Sequence, residues 1–245
     1  MKAGHIEDGQ KRIRVYLGGE AVADSTRVKL VWEKPYYPVY YFPADDVRGD
    51  LLAPSGDTAR SPGRGIAELL DVKTGDRVAT DAAYRYPEPE IEGLEDLVAF
   101  RWDAVDAWFE EDEQVYVHAR DPYTRIDILS SSRHVEVMID GVTVAESHKP
   151  TILFETGLVP RFYLPQVHVR LDLLTPTDSV THCPYKGDAT YWSIRAGDET
   201  HEDIAWSYRT PHPESARIAG LISFYNERVD LRIDGELQER PSRRS

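Results

Sequence analysis

The sequence predicts a mainly β protein built as two tandem compact units, each roll- or barrel-like and each carrying one short helix. Three observations carry that prediction. Apolar and polar residues alternate with period two through short segments, the pattern of half-buried strands. Gly, Pro and Asp residues punctuate those segments as turn formers. The first half of the chain also resembles the second at a fixed offset, the mark of an internal repeat.

The offset is 122 residues, since "RVYLGGEAVADSTRVKLVWE" (Arg14 to Glu33) lies over "EVMIDGVTVAESHKPTILFE" (Glu136 to Glu155). In that register Pro38 meets Pro160, Tyr41 meets Tyr163, Arg48 meets Arg170 and Asp50 meets Asp172. "YRYPEP" (Tyr84 to Pro89) lies over "WSYRTP" (Trp206 to Pro211), and after two residues of slippage Phe100 meets Phe224 and Asp106 meets Asp230. Charged, glycine and proline positions agree as well as apolar ones, which amphipathic periodicity alone does not produce. The units are read as residues 12–118 and 133–240. The segment 119–132, "ARDPYTRIDILSSS", reads as an extended connection because of its Asp-Pro step and its serines.

Each unit opens with an alternating segment. In "RIRVYLGGEAVADS" Val15 and Leu17 share a face, and Gly18-Gly19 supplies a tight hairpin turn. "VKLVWE", "TILFE", "PVYYFP" and "PRFYLP" are strand-like, as are "ATYWSI", "IAWSY", "LISFY" and "VDLRI". Only "PADDVRGDLL" (Pro43 to Leu52) and "PQVHVRLDLL" (Pro165 to Leu174) read as short helices, each with proline in its first turn.

Composition narrows the function classes. The chain has 245 residues, a net charge of −14 and a pI near 5.0. Such a surface repels phosphate backbones and anionic lipid, so neither nucleic acid nor a membrane is an expected partner. No segment approaches the roughly 18 apolar residues of a membrane span, and "MKAGHIEDGQKR" lacks the apolar stretch of a signal peptide. A single cysteine forms no intramolecular disulfide, which suits a reducing, cytoplasmic setting. The expected partner is a small molecule, with the chain acting as a monomer or homodimer.

That cysteine lies in "THCPYKGDATYW", Thr181 to Trp192, beside a histidine, a lysine and three aromatic residues. The run Cys183-Pro184-Tyr185-Lys186-Gly187, with the later Trp206-x-Tyr208 and the flanking "DG…VAES…FYLP…VR.DLL", resembles the domain of unknown function 427 family. That family is sometimes labelled nucleotidyltransferase-like. The resemblance covers both units, hence nearly the whole chain. The first unit departs from it, having "SPGRG" (Ser61 to Gly65) for "CPYKG" and Tyr84 for Trp206. A single site in the second unit follows, with the first unit as a degenerate copy.

The residue chemistry fills in that site. Cys183 beside His182 and Lys186 suits a thiolate nucleophile, with a buried structural thiol as its alternative. Lys186 suits a general base, a Schiff-base amine or an anion anchor. His182 and Tyr185 would assist proton transfer. Trp206 and Tyr208, two apart on one strand, would wall the ligand, joined by Tyr191 or Trp192 but not both, because neighbours on a strand face opposite ways. Arg170 offers a bidentate anion contact. Glu155, Arg170 and Asp172 recur as Glu33, Arg48 and Asp50, which reads as structural ion pairing. No Cys-x-x-Cys or His-Glu-x-x-His spacing occurs, so neither a metal nor a cofactor is expected. These features lead to a small-molecule enzyme of unassigned reaction, or else a non-catalytic sensor module or a purely structural β pair.

Overall fold

The computed structural model describes residues 4–196 and 199–241, and the chain divides between Pro122 and Tyr123 into two units. The first contains β1 (His5–Asp8), β2 (Ile13–Leu17), β3 (Glu20–Ser25), β4 (Lys29–Trp32), β5 (Val39–Pro43), β6 (Leu52–Ser61), β7 (Gly65–Thr74), β8 (Arg77–Arg85), β9 (Leu97–Phe100), β10 (Ala107–Glu110) and β11 (Glu113–Val115). The second contains β12 (Ile126–Ser130), β13 (Val135–Ile139), β14 (Val142–Ser147), β15 (Thr151–Glu155), β16 (Arg161–Leu164), β17 (Leu174–Cys183), β18 (Gly187–Ala196), β19 (Glu199–Tyr208), β20 (Ile222–Phe224), β21 (Asp230–Ile233) and β22 (Glu236–Leu237).

The two units share one topology. A seven-stranded sheet runs β1-β4-β5-β9-β8-β7-β6 in the first and β12-β15-β16-β20-β19-β18-β17 in the second. A four-stranded sheet runs β11-β10-β2-β3 and β14-β13-β21-β22. The architecture is thus mainly β in two repeats, as the alternation predicts, but each repeat is a pair of open sheets and not a closed barrel.

Local sequence explains the strands. Ile13, Val15 and Leu17 are buried on one face of β2, and Val135, Val137 and Ile139 repeat this on β13. The β2–β3 hairpin turns on Gly18 and Gly19 at φ of 59° and 82°, and the β13–β14 hairpin on Asp140 and Gly141 at 50° and 78°. Consecutive positive φ values are what a two-residue hairpin turn of the right twist requires.

Two expectations change. The segments read as short helices are instead pairs of three-residue 3-10 turns, Ala44–Asp46 with Gly49–Leu51 and Gln166–His168 with Leu171–Leu173. Val47 and Val169 interrupt them in extended conformation and bridge to Ala23 and Ala145 of the small sheets. A β-branched residue with a sheet partner wins over helix continuation. The segment 119–132 is also more than a connection, because it contains β12, which pairs with β15 along its length. Likewise β1 begins at His5, ahead of residue 12.

In each unit the main core lies between the two sheets. In the second, Val135, Val137, Val144 and Leu231 of the small sheet meet Phe162, Leu164, Ile194, Ile204 and Phe224 of the large one. Each such buried side chain is worth about 1.5–3 kcal/mol. The other face of the large sheet holds a smaller, aromatic cluster covered by the 3-10 turn Pro213–Ile218. The long outermost strands β6 and β17 each carry a proline followed by a bulge, at Pro54/Thr58 and Pro176/Val180.

Candidate functional site

The site grows from a turn. Cys183-Pro184-Tyr185-Lys186 joins β17 to β18, closed by the Lys186 amide donating to the Cys183 carbonyl at 3.3 Å. Proline at the second position presets φ for such a turn. Gly187 follows at φ 95°, and a Cβ there would meet the Thr210 carbonyl oxygen at 3.4 Å. The His212 amide donates to the Lys186 carbonyl at 3.0 Å, so the chain leaving β19 clasps the turn. Gly65 plays the same part at φ 102°, with a Cβ position 2.9 Å from the Glu88 carbonyl oxygen. This glycine therefore serves a backbone crossing, not ligand approach.

The clasped turn sends Lys186 inward. Its Nζ lies 2.5 Å from Glu155 Oε2, with the two side chains only 11% and 9% exposed. Tyr163 and Tyr208 lie near Glu155, and they pack with Tyr191, Trp206, Leu153, Ala189 and Ile218 in one cluster. Trp206 Nε1 donates to the Tyr163 hydroxyl at 3.2 Å, and their rings meet edge to face. Burial pushes the Tyr163 and Tyr208 phenols well above their ordinary value, against the Trp206 hydrogen bond and the Arg161 charge, which pull Tyr163 down. Both stay protonated donors across physiological pH.

Cys183 is half-buried at the end of β17, near both phenols. Thr181, two residues earlier, pairs with the Tyr191 hydroxyl at 2.7 Å. Beside this wall opens a cavity of about 420 Å³, lined by Arg161, Thr181, Tyr191, Asp203, Tyr225 and Arg228 among others. The Arg161 guanidinium stands 5.7 Å from the Trp206 ring centre and is held by Glu227 through two 2.7 Å hydrogen bonds.

The structure divides the residues singled out from sequence. Cys183, Lys186, Tyr191, Trp206 and Tyr208 come together. His182 does not, because alternation turns it to the opposite face, where Nδ1 lies 2.6 Å from Asp188 Oδ1. Trp192 also faces away and packs against the inter-sheet core. Tyr185 is half-buried in the turn, its carbonyl accepting from Ser215 Oγ at 3.4 Å. Arg170 is exposed and bound bidentately to Asp172, as Arg48 is to Asp50. Sequence reasoning missed Glu155 and Tyr163 as site members. The signal was present, because an acid at 33 and 155 faces a base at 64 and 186 in both repeats.

The first unit keeps that acid–base pair in a different form. Glu33 Oε1 accepts from the Tyr41 and Tyr84 hydroxyls at 2.6 and 2.8 Å, while Oε2 lies 3.4 Å from Arg64. Arg64 Nε also donates to the Tyr86 hydroxyl at 3.2 Å. At three of the cavity positions Val39, Ala59 and Leu69 replace Arg161, Thr181 and Tyr191, while Asp81 keeps the place of Asp203, so much of the polar lining is lost.

Fold and site together define a duplicated, open two-sheet β protein with one aromatic-walled acid–base pair per repeat. Residues 5–111 and 127–235 each match the family described as "Domain of unknown function (DUF427)", and the chain belongs to that family, in two copies. No curated protein matches the chain. No helix among the described residues is long and apolar enough to cross a membrane.

Proposed function

We propose that the second unit holds one small-molecule site, centred on Lys186 and Glu155, and that it performs acid–base chemistry in a cytoplasmic protein. One observation carries this reading. Glu33 has both oxygens engaged by side chains, whereas Glu155 Oε1 has no hydrogen-bond partner among the described residues. Tyr191 joins the aromatic cluster to the polar cavity, and an acceptor without a protein donor suits a ligand donor.

In this reading Glu155 holds the Lys186 ammonium in place, and Lys186 gives its proton to a substrate atom developing negative charge. Neutral Tyr208 donates a hydrogen bond, Trp206 and Tyr191 wall the ligand, and Cys183 lies at the rim as nucleophile. A second reading, a binding module without turnover, is favoured by the position of His182. Turned to Asp188, it is not the base for Cys183 that its place in the sequence suggested.

The test is a small-molecule thermal-shift screen of the full chain against Lys186→Arg, which keeps the charge but takes the first unit's residue. A ligand bound only by the native state raises the midpoint. Compounds that stabilise the wild type and fail on the variant support the site. Compounds that stabilise both equally, or none in a broad metabolite set, remove it. Turnover of such a compound then separates enzyme from module.

A further inference from the structure

In the small sheet of the second unit, His134, Glu146 and His148 place one ligand atom each within 4.8 Å of one another. Strand register explains the meeting. Val135 pairs with Ser147 across β13 and β14, so His134, one residue earlier, faces His148, one residue later. Glu146 lies two residues before His148 and therefore on the same face. The two imidazole rings stack 4.2 Å apart, and His134 Nε2 lies 2.8 Å from Glu146 Oε1.

The main chain beneath is held firmly. The His134 amide donates to Asp234 Oδ1 at 2.9 Å, and its carbonyl accepts from the Asp234 amide at 2.8 Å. Ser147 Oγ accepts from the Lys149 amide at 2.9 Å and lies 2.8 Å from His168 Nδ1, fixing the turn that presents His148. The first unit has the same frame, with Ser25 Oγ accepting from the Arg27 amide at 2.9 Å. Its side chains differ. The counterparts of His134, Glu146 and His148 are Arg12, Asp24 and Thr26. Arg12 and Asp24 form a two-bond ion pair at 2.7 and 2.5 Å. The second repeat thus keeps the carboxylate and has imidazoles at both flanking positions.

We propose that His134, Glu146 and His148 form a binding site for a divalent cation of the zinc class. Two imidazole nitrogens and one carboxylate suit borderline metals and disfavour magnesium and calcium, which prefer all-oxygen shells. Three protein ligands leave a fourth tetrahedral position for water. Tetrahedral zinc with Zn–N bonds of about 2.0–2.1 Å needs its two nitrogens roughly 3.3 Å apart. The stacked rings must therefore tilt toward each other, a movement open to side chains at a sheet edge. No sequence motif announces the site, because its ligands come from two strands joined by a hairpin.

The test is calorimetric titration of the metal-stripped full chain with Zn²⁺, with Mg²⁺ as the control. The expected result is Zn²⁺ binding that falls at least ten-fold in His148→Thr and in the pair His134→Arg with His148→Thr. These variants carry the first unit's own side chains and so suit the frame. Cys183→Ser and His201→Ala, which lie outside the cluster, are expected to leave that component unchanged. Zn²⁺ bound no more tightly than Mg²⁺, or bound equally by wild type and His148→Thr, overturns the proposal.

Discussion

In the first unit, three side chains close on Glu33: two tyrosine hydroxyls take one oxygen and an arginine faces the other. In the second, Glu155 stands at the equivalent position, the end of β15, and meets one lysine. Two replacements accompany the difference, while the third contact, that of Tyr41, has its counterpart Tyr163 engaged by Trp206. Tyr84 becomes Trp206, whose N–H turns to Tyr163 and leaves the carboxylate, and Arg64 becomes Lys186. The comparison separates what both repeats share, an acid facing a base under aromatic cover, from what the proposed site adds, a carboxylate oxygen with no donor among the described residues. A turn difference accompanies it. Gly63 takes φ 74° in "SPGRG", as the third residue of a type II turn does, while Tyr185 keeps a negative φ.

The deepest change is expected from Lys186→Ala. It leaves Glu155 largely buried without its counterion and costs on the order of 3 kcal/mol by denaturant titration, together with all ligand-induced stabilisation. Arg64→Ala is expected to destabilise its own unit yet leave ligand binding untouched. A binding defect as deep as that of Lys186→Ala would show that the first unit also holds a working site.

A narrower change converts one repeat toward the other. Lys186→Arg with Trp206→Tyr should supply the two groups that close the first unit's network, retain the fold and weaken ligand binding at least ten-fold. Trp206→Tyr alone, by offering Glu155 a second donor, should add about 1 kcal/mol of stability. Binding that survives the double change would mean the open oxygen of Glu155 is not what the ligand reads. Calorimetry should also give one ligand per chain, and two equivalent sites would contradict the asymmetry.

Alkali tests both units together. The buried phenols of Tyr41, Tyr84, Tyr163 and Tyr208 all stand above the ordinary value of 10.0 in the folded chain, chiefly through burial. Above that pH the unfolded chain releases these protons first, so their contribution is fully present below pH 10 and is lost as pH rises beyond it. Phenolate absorbance should show a tyrosine fraction that ionises only on unfolding, and full ionisation in the native state would contradict their burial. The smallest effect concerns Cys183. Half-buried at the rim, it should take up iodoacetamide in the native chain without loss of fold, and complete protection until denaturation would remove it from the site.

The repeat made most of the architecture legible. A 122-residue offset matched Gly, Pro and charged positions, and those are the hairpins, the clasp at Gly65 and Gly187 and the exposed Arg–Asp pairs. Alternation separated Tyr191 from Trp192 correctly as facing opposite ways. It applied equally to His182 and Cys183, where proximity in sequence was read as proximity in chemistry. Glu155 escaped because its partner lies 31 residues away on another strand, and a carboxylate carries no local sign of what it will meet. The 3-10 turns escaped because proline and a short apolar run look alike before a helix and before a sheet crossing.

One device of the outermost strands bears on how such a chain survives duplication. β6 and β17 are each ten residues long and end their sheets. A bare ribbon of that length invites zippering onto any similar ribbon, and tandem repeats hold two of them at high effective concentration. Pro54 and Pro176 offer no amide hydrogen, and a shift of register after each interrupts the ladder. A guard against strand exchange is therefore written into both repeats at the same spot, and replacing either proline with valine is expected to promote edge-to-edge association of the chains.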